Sequence, residues 1–173
     1  MTTDEELMLE FQRGALDGFT ELFHRYREPI YGFFRRRLPD AARAEELAQE
    51  VFLAILRGLE RYEPRALFRT YLYSIALRQL AAERRKQAHK GKDPVKEADL
   101  AVAADPDAGL WVRTAIEKLE GGAREVLLLR EYEQLSYADI GALLRIPVNT
   151  VRSRLFRARL ALKEVLLPQR STT

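Results

Sequence analysis

Asn149, Thr150, Arg152 and Ser153 stand in one stretch, with Arg154 and Arg157 a turn further on. Amide, hydroxyl and guanidinium groups at that spacing can hydrogen-bond base edges in a major groove, while the charges meet phosphates. An arginine-rich face is also what a solvated helix presents. The segment upstream favours the DNA reader. Ser136-Tyr137-Ala138-Asp139 has capping-box spacing, in which the serine oxygen accepts the amide three residues on and the aspartate reaches back to the first amide. Ile140, Leu143 and Leu144 then face inward, Arg145-Ile146-Pro147 makes a tight turn, and Val151, Leu155, Ala158, Leu162 and Val165 form the buried side of a long second helix. Short helix, tight turn and long basic helix make a helix-turn-helix. Arg145 would cost about 1 kcal/mol in a left-handed turn. Pro147 lacks a capping side chain but is tolerated at a helix start.

A second group suits unpaired bases. Phe68, Tyr71 and Tyr73 interleave with Arg61, Arg65, Arg69 and Arg78, and capture of single strands combines such cations with aromatic stacking platforms. Aromatic clusters at helical spacing are also core, and Phe68 and Leu72 are assigned chiefly to packing. A third group, Glu45, Glu46, Gln49 and Glu50, forms an acidic, amide-bearing edge suited to a basic partner helix. No enzyme constellation is visible: His24 and His89 are far apart, no glycine-rich phosphate loop occurs, and neither histidine has evident co-ligands. No metal or cofactor is expected.

These residues need helices to position them. Ala44, Leu47, Ala48, Val51, Phe52, Ile55 and Leu59 hold helical spacing for four turns. Phe19, Leu22, Phe23, Tyr26 and Ile30, then Phe33, Phe34 and Leu38, form stripes interrupted at Pro29, with Leu38-Pro39-Asp40 as a stop. Another helix starts near Phe68 with Leu72, Ile75, Ala76 and Leu80 inward. Leu110, Ala115, Ile116 and Leu119 open a second block, which breaks at Gly121-Gly122 and resumes through Val126, Leu127, Leu129 and Tyr132. No segment alternates as a half-buried strand does. The fold class is therefore all-α: two small helical domains, 1–90 and 110–173, joined by a flexible linker at 91–109 that is rich in Ala, Asp, Lys and Pro, the C-terminal domain a helix-turn-helix.

The 173 residues are 47% hydrophobic, enough for one moderate core or two small ones, and the net charge is only +3. Its distribution matters more: between Arg145 and Arg170 seven basic residues face Glu164 alone, an electrostatic footprint for phosphates. The absence of cysteine excludes disulfides, thiolate metal sites and thiol redox sensing. Asp4, Glu5 and Glu6 stand where a secretory signal would be basic, and no apolar run approaches a membrane span. A soluble, cytoplasmic chain is expected.

Three motifs now carry a specific resemblance. Arg124-Glu125-Val126-Leu127-Leu128-Leu129-Arg130-Glu131, Leu135-Ser136-Tyr137-Ala138-Asp139-Ile140 and Thr150-Val151-Arg152-Ser153-Arg154-Leu155-Phe156-Arg157-Ala158-Arg159 resemble the C-terminal domain of extracytoplasmic-function sigma factors, a group in the sigma-70 superfamily. Glu45 to Leu53 followed by Phe68 to Ala76 resemble the N-terminal sigma domain in order and spacing. The resemblance implies that Asn149, Thr150, Arg152, Ser153, Arg154 and Arg157 read the minus-35 promoter element, and that Arg61, Arg65, Arg69, Tyr71, Tyr73 and Arg78 take the melted minus-10 element. It also implies that the loop from Arg61 to Leu67 accommodates a flipped base.

The same resemblance implies that Glu45, Glu46, Gln49 and Glu50 bind the beta-prime clamp helices of core RNA polymerase, and that part of Leu127 to Tyr132 docks on the beta flap. Promoter DNA, double-stranded and melted, is then a partner, as is an anti-sigma factor. Tyr71 and Arg78 stand where many relatives carry tryptophan and asparagine, so the minus-10 preference does not transfer. The competing reading is a free-standing helix-turn-helix regulator that binds duplex DNA without polymerase.

Overall fold

The computed structural model describes residues 1–91 and 106–167, the side chains of 106–108 excepted. Every regular element among the described residues is helical. The chain divides into two compact units, Met1–Asp99 and Leu100–Thr173. The expected linker lies mostly outside the described residues, but residues 106–109 at its end are already helical. Pro106 opens that helix, where its missing amide would lack a partner anyway.

The first unit begins with α1 (Asp4–Gln12), a short helix whose three buried residues are Leu7, Met8 and Phe11. Thr3 Oγ1 accepts from the Glu6 amide at 3.2 Å and Glu6 Oε2 accepts from the Thr3 amide at 2.8 Å, a complete capping box. Helix α2 (Leu16–Arg35) continues across Pro29, correcting the expected interruption. An internal proline costs about 3 kcal/mol, yet Leu22, Tyr26, Ile30, Phe33 and Phe34 keep one buried stripe on both sides of it. Burial of each such side chain is worth about 1.5–3 kcal/mol, so the stripe outweighs the lost amide.

Asp40 caps α3 (Ala41–Gly58), its Oδ1 accepting from the amides of Ala42 and Arg43 at 2.9 and 3.3 Å. The helix buries Ala44, Leu47, Ala48, Val51, Phe52 and Ile55, as their spacing predicts, and tightens into a 3-10 turn at Leu59–Arg61. After a loop, α4 (Phe68–His89) buries Phe68, Leu72, Ile75, Ala76 and Leu80.

In the second unit, α8 (Val148–Leu166) packs against α5 (Pro106–Glu117), α6 (Gly121–Glu131) and α7 (Tyr137–Leu144). Val126, Leu129, Leu135, Ile140, Val151 and Leu155 form its core. One expectation is corrected: Val165, read as part of the buried side of α8, is exposed, as are all of residues 163–167.

Candidate nucleic-acid interface

The helix-turn-helix is built by α7, its turn and α8. Ser136 Oγ accepts from the Asp139 amide at 3.0 Å, while its own hydroxyl donates to Asp139 Oδ2 at 2.6 Å. The aspartate therefore grips the serine side chain and not the first amide, a variant of the expected box. Helix α7 ends on Arg145 at φ 55°, ψ 46°, a left-handed residue without glycine's freedom. This lets the Ile146 amide reach back to the Gly141 carbonyl at 3.0 Å. A Cβ on Gly141 would sit 2.9 Å from the Ile146 oxygen, so the turn closes directly onto that glycine. Pro147 is extended, and its carbonyl accepts from Thr150 and Val151 at 2.9 and 3.1 Å.

Val151, Leu155 and Ala158 lock α8 inward, which leaves Asn149, Arg152, Ser153 and Arg157 exposed and Thr150 half-buried. Arg152 Nη1 donates to Asn149 Oδ1 at 3.2 Å, and the Ser153 hydroxyl donates to the Thr150 carbonyl at 3.1 Å. Arg154 departs from this set. It is half-buried, and its Nη1 lies 2.9 Å from where a Cβ on Gly122 would stand, so its guanidinium covers the start of α6. Arg159, on the same helix, pairs with Glu131 of α6 at 2.5 Å.

In the first unit, Arg61, Arg65, Tyr71 and Arg78 line one open pocket of about 630 Å³. Ala54, Arg57, Gly58, Tyr62, Glu63, Ile75 and Gln79 complete its wall, and Glu63 pairs with Arg65 at 2.6 Å. Sequence reasoning did not single out Arg57 or Gln79; Arg57, one helical turn before Arg61, was the available signal. The Tyr71 ring is half-buried, 5.2 Å from that of Tyr62, and its hydroxyl would be 3.2 Å from a Cβ on Gly58. Burial raises both phenols, Tyr62 to about 12, although Arg78 and Arg61 pull Tyr71 back down. Both rings are therefore neutral at physiological pH. Among the described residues the buried Tyr62 hydroxyl and Gln79 Oε1 have no hydrogen-bond partner.

Two expected members of this group lie elsewhere. Tyr73 is 2% exposed, with its ring 5.7 Å from Phe33. Two residues along a helix is about 200° of rotation, so with Tyr71 facing the pocket Tyr73 must enter the core. Arg69 is half-buried beside the Tyr26 hydroxyl and does not line the pocket.

Glu45, Glu46, Gln49 and Glu50 are all exposed along α3. Glu45 and Gln49 line a second groove of about 340 Å³ whose other walls include Phe23, Tyr31 and Phe52. Glu46 is held by Arg43 at 2.7 Å. Leu127, Leu128 and Leu129 are buried, leaving Tyr132 as the exposed apolar residue of the expected flap-docking segment. Among the described residues no helix is long and apolar enough to cross a membrane.

Comparison with known proteins is consistent with this division. Residues 22–90 match the family model "Sigma-70 region 2" and residues 109–162 match "Sigma-70, region 4". The chain is 34% identical to an RNA polymerase sigma-H factor of Pseudomonas aeruginosa, across 95% of this chain and 94% of that one. It is 30% identical to an ECF RNA polymerase sigma-E factor of Escherichia coli, across 96% and 95%. Its fold is shared with a sigma factor, RpoE, solved with the anti-sigma factor NepR from Bartonella quintana. That match has a TM-score of 0.73 at 22% identity and covers 88% of this chain and 98% of the other.

Proposed function

Because the chain belongs to the sigma-70 family of RNA polymerase sigma factors, in its extracytoplasmic-function group, we propose that its two units contribute successive recognition steps to one initiation event. The protein binds core RNA polymerase and directs promoter-specific transcription initiation. The C-terminal unit enters the major groove of the minus-35 element with the start of α8. Asn149, Arg152 and Ser153 meet base edges there, Arg157 meets phosphate, and Thr150 supports them. Arg154 acts mainly through α6, whose placement sets the angle of the reading helix.

The N-terminal unit captures the melted minus-10 strand. Flipping a base costs a few kcal/mol of unstacking, which stacking on the neutral Tyr71 ring offsets while Arg61, Arg65 and Arg78 hold the strand's phosphates. Arg69 contacts the strand outside the pocket. The grouping of Arg57, Arg61, Arg65 and Arg78 with Tyr71 around one open cavity of about 630 Å³ carries this reading. Glu45, Glu46, Gln49 and Glu50 receive the beta-prime clamp helices, and Tyr132 contacts the beta flap. Nucleotide addition belongs to the polymerase, so this chain acts as a specificity subunit, not an enzyme, in the cytoplasm. An anti-sigma factor is a further partner.

A free-standing regulator would bind its operator without polymerase. Matches to both sigma regions, in order along the chain, do not favour it. Run-off transcription with core polymerase and a randomised promoter library tests the proposal. Selection of both an upstream and a downstream element is expected. Tight sequence-specific duplex binding together with no polymerase association would overturn it.

A further inference from the structure

Beyond an exposed Arg65–Glu63 ion pair at 2.6 Å, the loop that carries Arg61 and Arg65 has little local support. Gly58 and Leu67, which flank the 3-10 turn and α4, provide no side-chain cap. Between them the described backbone bonds are Tyr62 to Leu59 at 3.1 Å and Arg65 to Glu63 at 2.8 Å. Both ends are instead held from α1. Gln12 Nε2 donates to the carbonyls of Leu59 at 2.8 Å and Tyr62 at 3.1 Å, and Glu60 O lies 3.4 Å away. At the far end Glu5 Oε1 accepts the Phe68 amide at 2.5 Å, supplying the cap that Leu67 lacks. Asp4 fixes the helix in turn, bonding the Tyr26 hydroxyl and pairing with Arg25 at 2.8 Å.

From this geometry we infer that α1 is the frame of the base-capture loop, with Gln12 and Glu5 as positioning residues that act through the pocket wall without touching DNA. The inference rests on the pocket reading above. Its chemistry is directional: the carbonyls of Leu59 and Tyr62 require a donor at position 12, and the Phe68 amide requires an acceptor at position 5. Gln12→Glu keeps the shape of the side chain and removes the donor, placing a carboxylate against carbonyl oxygens. Gln12→Lys restores a donor on a chain of similar reach.

The test uses holoenzyme on a forked promoter whose sequence comes from the library selection, with an abasic residue placed at each minus-10 position in turn. Wild type is expected to lose roughly tenfold in affinity at the captured position, the scale of one stacked base. In Gln12→Glu and in Glu5→Ala that penalty should shrink to within about twofold, since a misplaced pocket gains little from the base it no longer holds. Gln12→Lys should recover most of it. Core-polymerase affinity, measured in parallel, is expected to stay unchanged. A full penalty in every variant overturns the inference while leaving the pocket intact. No penalty in wild type overturns the pocket reading, and the inference with it. Equal losses of core binding and base capture would make α1 a general folding element and also overturn the positioning role.

Discussion

Arg43 of α3 meets Glu83 of α4 at 2.7 Å, joining two helices through residues forty apart in sequence, and Glu83 is only 7% exposed. The same guanidinium holds Glu46 with its other nitrogen. Hydrogen bonding to Arg43, against an opposing burial effect, places the Glu83 carboxyl below its ordinary value. A group with a lowered folded value contributes stability above its unfolded value, and the contribution disappears as pH falls through the folded one. Glu83→Gln should therefore destabilise the chain by about 1–3 kcal/mol at neutral pH, and by progressively less below about pH 4.5. Denaturant midpoints measured from pH 7 to pH 3 check both the size and the sign.

Glu46 is exposed on the far side of the same guanidinium. Glu46→Gln should change stability by less than about 0.5 kcal/mol but weaken association with core polymerase. Calorimetry of the free chain and titration of labelled protein into core separate the two effects.

The two faces of α8 predict different arginine phenotypes. Arg152→Ala should reduce minus-35 binding by roughly tenfold, and Arg157→Ala should lower the salt dependence by about one phosphate contact. Arg154→Ala should act more through stability, and Gly122→Ala should reproduce part of its defect by displacing the guanidinium. Holoenzyme binding to the selected promoter across a salt series distinguishes them.

Arg145 and Gly141 predict opposite signs within one turn. Arg145→Gly removes a left-handed arginine and should stabilise the C-terminal unit by up to about 1 kcal/mol. Gly141→Ala drives a methyl into the Ile146 carbonyl and should destabilise it by about 1–3 kcal/mol. Both are read from urea unfolding of the full chain.

Tyr71 and Tyr73 give the sharpest contrast in the N-terminal unit. Tyr71→Ala should preserve the fold and core binding while reducing permanganate reactivity in the open promoter complex. Tyr73→Ala should cost about 3–5 kcal/mol through the cavity it leaves beside Phe33, visible as a lowered Tm before any promoter assay.

Much of this architecture is local, and local chemistry is legible in a sequence. The α3 stripe, the Asp40 and Ser136 caps and the turn at Arg145-Ile146-Pro147 each depend on residues within a few positions of one another, where period and hydrogen-bonding capacity decide the outcome. The same locality made the helix-turn-helix readable, along with the acidic edge of α3 and the presence of arginines and aromatics around α4. Pro29 was misread for the complementary reason: its propensity is local, but the stripe that overrides it is satisfied by burial against other helices.

What only tertiary structure decided is which member of each group reaches solvent, a neighbour or a common cavity. Composition could not separate Tyr71 from Tyr73, since both suit stacking; the packing of Phe33 took one ring into the core. Nor could it place the Arg154 guanidinium over the start of α6, because Gly122 belongs to another helix. Gln12 lies 47 residues before Leu59, and no periodicity links a glutamine to a carbonyl at that distance. A helix pattern fixes a side chain's direction around its own axis, whereas the partner it meets depends on how the other helices close around the core.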